Sequence, residues 1–143
     1  MLCDEFGRGA EKAEHLVEKI HVQVLKISGC IACYGCRETH VCVQKEDMAQ
    51  ILEKMIAADV IVLATPVYFY SLDGQMKTMI DRTLPRYTEI CDKDFYFIAT
   101  AAAGARAIQR TMDALEGFTD CLPGAKVKGR ILGCWVYPKC EGK

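Results

Sequence analysis

Apolar residues recur at helical spacing from the start of the chain. Leu2, Phe6, Ala10, Ala13 and Val17 fall on one face and predict an amphipathic helix over residues 2 to about 14. Val17, Ile20 and Val22 make the stretch from Leu16 to Val22 read as a short strand. Little periodicity follows from Val24 to Val43, a loop. Glu46 and Asp47 then open a second helix, with acids in its first turn as the helix dipole prefers. Its apolar positions are Met48, Ile51, Leu52, Met55 and Ile56. The run Val60-Ile61-Val62-Leu63-Ala64 has no polar alternation and predicts a strand buried on both faces, ended by Pro66. Ser71 to Thr83 reads as a helix with Leu72, Met76, Met79 and Ile80 on one side, stopped by Pro85. Phe95 to Thr100 is a second buried strand. Ala105 to Phe118 is a helix, with Ile108, Met112, Leu115 and Phe118 facing inward. Lys128 to Val136 is a last strand.

Helices and strands alternate throughout, and every clear strand follows a helix. The expected fold class is therefore α/β, three layers deep, with an open parallel sheet. In such folds ligands bind beyond the carboxyl ends of the strands. Two loops lie there. The first runs from Thr65 through Pro66, Val67, Tyr68, Phe69, Tyr70 and Ser71; the second from Thr100 through Ala101, Ala102, Ala103 and Gly104 to Ala105. In the first, proline stiffens the backbone and three consecutive aromatics offer faces for a planar heteroaromatic ligand. Taken alone, those aromatics read equally as core or interface packing. The second, built of small residues, lets a ligand approach the backbone, and read alone is a plain tight turn.

Composition narrows the classes. The 143 residues suit one domain, residues 1–143, and contain no repeat or linker. Lys and Arg number 18 against 19 Asp and Glu, a balance that argues against a nucleic-acid or membrane-surface binder. No apolar run approaches a membrane span, and the acidic N-terminus lacks the form of a signal peptide, so a cytoplasmic location is expected.

Nine cysteines are the outlying count. Cys30, Cys33, Cys36 and Cys42 crowd into 13 residues, whereas Cys3, Cys91, Cys121, Cys134 and Cys140 are scattered. The scattered five read as small buried hydrophobes or idle thiols. Three cysteines in successive x2 steps with a fourth nearby match the pattern that wraps a [4Fe-4S] cluster, and Gly29 and Gly35 give the loop freedom to fold around it. Bare thiols, or zinc with His40 replacing one cysteine, are the alternatives. His15 and His21 read as surface or sheet-edge residues.

The run from Ala58 to Arg82, with Thr65-Pro66-Val67-Tyr68-Phe69-Tyr70-Ser71 at its centre, resembles the signature of the NADPH-dependent FMN reductase family. The cysteine loop followed by Glu46-Asp47-Met48 resembles that family's iron–sulfur flavoprotein branch. The resemblance implies a flavodoxin-like fold binding FMN. Pro66, Val67, Tyr68, Phe69, Tyr70 and Ser71 would line the isoalloxazine, and Ala101, Ala102, Ala103 and Gly104 would meet its other edge. Cys30, Cys33, Cys36 and Cys42 would hold the cluster. It also implies a homodimer or homotetramer, with NAD(P)H or a small electron carrier as donor. The family's first strand, its phosphate-gripping loop and its closing helix have no counterpart in the 143 residues, so a domain incomplete at both ends is expected. The functional expectation is an FMN-dependent oxidoreductase with no assigned protein acid or base. The alternatives are an iron–sulfur electron-transfer protein without its own substrate, and a truncated remnant that no longer holds FMN.

Overall fold

The parallel strands are where the hydrophobic runs place them. In a computed structural model that describes residues 2–136, β1 (Val60–Tyr68), β3 (Asp94–Thr100) and β4 (Lys126–Gly133) lie side by side and parallel. The two-residue β2 (Ser71–Leu72) pairs antiparallel with the end of β1, giving the order β2-β1-β3-β4. The α/β class and the open, mostly parallel sheet agree with the sequence reading.

The helices are α1 (Leu2–Lys12), the four-residue α2 (Cys36–Thr39), α3 (Met48–Ala57), α4 (Gly74–Asp81) and α5 (Ala105–Asp120). One sheet face, carrying Ile61, Leu63, Phe95, Phe97 and Ala99, forms the core with Met48, Ile51, Leu52 and Met55 of α3, Met76 and Met79 of α4, and Ile108, Met112, Leu115 and Phe118 of α5. On the other face Ile98 is buried, and Phe6 of α1 sets its ring 5.1 Å from that of Tyr96.

Several expectations need correction. β1 is not buried on both faces: Ile61, Leu63 and Thr65 are buried, whereas Val60 and Val62 are 44% and 36% exposed, because α1 does not cover them. Pro66 does not end the strand. It pairs with Thr100 on the β3 side, and its missing N–H is tolerated because no strand among the described residues flanks Val60–Pro66 on the opposite edge. Residues 16–21 form no strand, and Val22–Val24 is a turn of 3-10 helix. Ile20 and Val22 pack against the core without entering the sheet, and Leu16 is fully exposed. Helix α4 starts at Gly74 rather than Ser71, because Ser71 and Leu72 are drawn into a hairpin with β1. β4 ends at Gly133, three residues before the predicted Val136.

Glu46 and Asp47 precede α3 rather than forming its first turn. The Asp47 carboxylate accepts the Lys26 N–H at 2.7 Å, and Asp47 N–H donates to the Lys26 carbonyl at 3.2 Å. The two acids thus tie the segment leading into the cysteine loop to the head of α3. Of the scattered cysteines, Cys134 is half-buried against the core, Cys3 and Cys91 are half-buried and Cys121 is exposed, all as free thiols, while Cys140 lies outside the described residues.

Candidate flavin and cluster sites

The first loop is a β-hairpin rather than a strand-to-helix turn. Val67 faces Leu72 and Tyr68 faces Ser71, leaving Phe69 and Tyr70 as the two turn residues. Both have positive φ, 49° and 63°. Positive φ at both central positions is the pattern of a type I′ turn, which favours Asn-Gly and is strained for bulky side chains. The turn thrusts its aromatics outward: Phe69 is fully exposed, and Tyr68 and Tyr70 are 62% and 60% exposed. Arg110 of α5 lies 6.0 Å from the Tyr70 ring centre, within cation–π range.

The hairpin is held from below. Buried Thr65 donates its hydroxyl to the Asp73 carboxylate at 2.7 Å and accepts the Asp73 N–H at 3.1 Å. Asp73 also caps α4, accepting the Met76 N–H at 2.9 Å. Nothing in the aromatic run announces this pair, although Asp73-Gly74 before an apolar helical pattern is a readable N-cap signal.

The second loop leaves the neighbouring strand end, since Pro66 and Thr100 are register partners. Ala101 is buried, Ala103 and Gly104 are half-buried, and Ala102 is exposed. The residues after β4 fasten this loop. Ala101 N–H donates to Gly133, Trp135 N–H to Ala103 and Val136 N–H to Ala101, at 2.9, 3.1 and 3.0 Å. The Trp135 ring lies where a Cβ on Gly104 would be 3.6 Å away. Trp135 is itself 64% exposed, an aromatic face at this rim that was not foreseen from the sequence. Both predicted loops thus sit on adjacent strand ends, with three aromatics on one side and a small-residue turn beside an indole on the other. These residues fit a planar ring system by stacking and by close backbone approach.

The four clustered cysteines converge. Cys30, Cys33, Cys36 and Cys42 all line one concavity of about 140 Å³, together with apolar Ile31, Val43 and Leu84. Among the described residues no three Cys, His, Asp or Glu side chains stand close enough to share one metal ion. Four thiols around one cavity are the donor set a cubane cluster would take, one thiolate to each iron. Gly35 sits close against the loop: a Cβ there would be 3.0 Å from Val43 Cγ1 and 3.7 Å from Cys33 Sγ. Ala32, Tyr34 and His40 adopt positive φ, so the loop bends sharply. His40 directs Nδ1 to the Pro85 carbonyl at 3.1 Å and is not among the residues around the cavity, which gives the zinc alternative no support.

Beneath the cysteine loop lies a buried ion pair. Arg82, 1% exposed at the end of α4, donates from Nη1 to the Ser28 carbonyl at 2.6 Å and to Glu46 Oε2 at 2.9 Å, and from Nη2 to the Gln44 carbonyl at 3.5 Å. Glu46 also accepts the Ser28 hydroxyl at 2.6 Å and the Ser28 N–H at 2.8 Å. Those bonds from Ser28, then the one from Arg82, hold the Glu46 carboxyl down at about 2. A lone arginine after a helical stretch carries no sequence signal for this role.

Residues 1–128 match the model of the NADPH-dependent FMN reductase family. Over 84 residues the chain is 42% identical to an iron–sulfur flavoprotein of Archaeoglobus fulgidus, an alignment covering 59% of this chain and 38% of that protein. Over 80 residues it is 36% identical to an FMN-dependent NADH:quinone oxidoreductase of Pseudomonas aeruginosa, covering 48% and 39%. The chain thus spans well under half the length of these curated relatives. The solved structure of a flavone reductase superposes with a TM-score of 0.72 at 24% identity, covering 93% of this chain and 48% of that one, a likeness of fold. With the flavodoxin-like arrangement and the family match in agreement, the chain belongs to the NADPH-dependent FMN reductase family.

Proposed function

We propose that this chain binds FMN at the rim formed by the hairpin Pro66–Ser71 and the turn Ala101–Gly104, and acts as a flavin-dependent oxidoreductase. Electrons would come from NAD(P)H or a small carrier. The observation that carries this reading is the strained hairpin. Two bulky aromatics held at positive φ and exposed to solvent cost stability, and such strain concentrates where a ligand is gripped. Bound FMN supplies the hydride and electron chemistry, so no residue here is assigned as acid or base. The chain's own part is positional. Thr65 and Asp73 fix the hairpin, Tyr68, Phe69 and Tyr70 offer ring faces, and Trp135 borders the opposite turn.

Trp135 is the single tryptophan and stands beside the proposed site, so it reports on binding. Titration with FMN is expected to quench both the tryptophan and the flavin emission in a saturable way. Unchanged emission over the whole titration overturns the flavin reading.

The convergence of four thiols on one concavity supports a [4Fe-4S] cluster at Cys30, Cys33, Cys36 and Cys42 as a second redox centre. Helix α4 connects the two regions. Its capping Asp73 is bonded to the hairpin strand and Arg82, just past its end, to the cysteine loop; eight residues give it a length of about 12 Å. Anaerobic reconstitution with ferrous iron and sulfide, followed by iron and labile-sulfide analysis, is expected to give about four of each per chain. Failure to retain iron removes the cluster and leaves the flavin reading standing.

A further inference from the structure

The cysteine loop carries few contacts of its own, yet its two ends meet at one point. The four cysteines lie between Cys30 and Cys42. Arg82 reaches Ser28, two residues before the first, and Gln44, two residues after the last. Glu46 closes the same knot by bonding Ser28 twice and Arg82 once. The guanidinium is almost wholly buried and Glu46 nearly so, with side-chain exposures of 1% and 10%. A buried ion pair is a poor source of net stability, since removing two charges from water offsets most of their attraction. Its value here is geometric: a planar fork bonds two chain segments and a carboxylate at once, which a lysine cannot reproduce.

We propose that Arg82 is a positioning residue for the cysteine loop, acting through Ser28, Gln44 and Glu46 to hold the four thiols at the spacing a cluster requires. The proposal rests on the reading of those cysteines as cluster ligands. Arg82 is not among the residues around the thiol cavity, so its effect passes through the loop's two ends. Without the knot, the Lys26–Asp47 bonds would still bracket the loop from outside, but residues 28 to 44 themselves would keep the bond from Gln44 to the Gly29 carbonyl, the His40–Pro85 contact and the local turns. The thiols would then be held less closely to one set of separations. Loss of residues that orient metal ligands typically costs about tenfold to a hundredfold in metal retention.

The test compares the unaltered chain with Arg82→Lys and Ser28→Ala after anaerobic reconstitution with ferrous iron and sulfide. Each is challenged with EDTA while iron release is followed. FMN titration and the thermal unfolding midpoint are measured in parallel. The expected result is iron release about tenfold faster or more in Arg82→Lys, and about threefold faster in Ser28→Ala, with the FMN response retained in both. In the iron-free proteins, alkylation of the half-buried Cys36 and Cys42 is expected to become faster relative to Cys121, which is exposed elsewhere. Release at the parent rate in both variants overturns the proposal. So does parallel loss of iron retention and FMN response, the mark of a general structural role. If Arg82→Lys does not fold, Ser28→Ala decides: faster release with folding intact supports the clamp, and an unchanged rate overturns it. An unaltered chain that takes up no iron instead overturns the cluster reading itself, an outcome distinct from failure of the clamp.

Discussion

Phe69 and Tyr70 sit in backbone conformations that glycine or asparagine would adopt at little cost. Replacing Phe69 with glycine should therefore stabilise the chain by about 1 kcal/mol. It should also weaken FMN binding by about threefold to tenfold, through loss of one stacking face. Urea unfolding and flavin titration of the same variant check the two halves, and a Phe69→Gly protein that binds FMN as before shows that the strain serves something else. Glu46 gives a second residue-level expectation. Its carboxyl falls from the ordinary 4.5 to about 2 on folding, so its contribution is fully present above about 4.5 and is lost as pH falls from there towards 2. Urea unfolding at stepwise lower pH should show stability declining through that window. Glu46→Gln should flatten this part of the slope, and a variant with the parent's slope would exclude Glu46 as its source.

The elements show which signals reach through sequence and which do not. Helices α1, α3 and α5 and strand β3 are legible because each carries an apolar face of fixed period, buried in α3, α5 and β3 and half-buried in α1, and the structure returns them within about two residues. The hairpin is not legible. Its turn residues, Phe-Tyr, are among the least suited to a two-residue turn, and the reversal is held by the Thr65–Asp73 bonds beneath it and the short β1–β2 ladder. The strand expected at residues 16–22 fails for a complementary reason: alternation describes a half-buried surface, and Ile20 and Val22 reach the core without joining the sheet. The two loops at the strand ends and the cysteine cluster were readable from local pattern as candidates. Arg82, Glu46 and Trp135 were not, since each acts on residues far away in the chain. Asp73 joins the hairpin to α4, so Asp73→Ala should cost about 1–2 kcal/mol by removing the cap and releasing Thr65, while Asp73→Asn should retain most of it. Chemical unfolding separates the two; equal losses in both would show that the carboxylate charge, not the cap, is what matters.

Across the whole molecule the sheet is covered unevenly. One face is sealed by α3, α4 and α5 against Phe95 and Phe97, neither of which is exposed at all. The other is sheltered around Tyr96 and Ile98 by α1, but Val60 and Val62 remain open beside a strand edge with no partner among the described residues. An apolar surface next to free backbone N–H and C=O groups is a site of association. Both proposed redox sites lie elsewhere, at the hairpin end of the sheet and beyond α4, so this surface can be altered without touching them. Val62→Lys should leave the unfolding midpoint within about 0.5 kcal/mol of the parent, because the side chain already meets solvent. The same substitution should shift a self-associating chain towards monomer, since a charge on an exposed edge opposes strand pairing and apolar contact alike. Light scattering across a concentration series reads the second effect and urea unfolding the first. If Val62→Lys unfolds the chain while leaving its mass unchanged, the open face is a fold-internal surface and self-association through β1 is excluded.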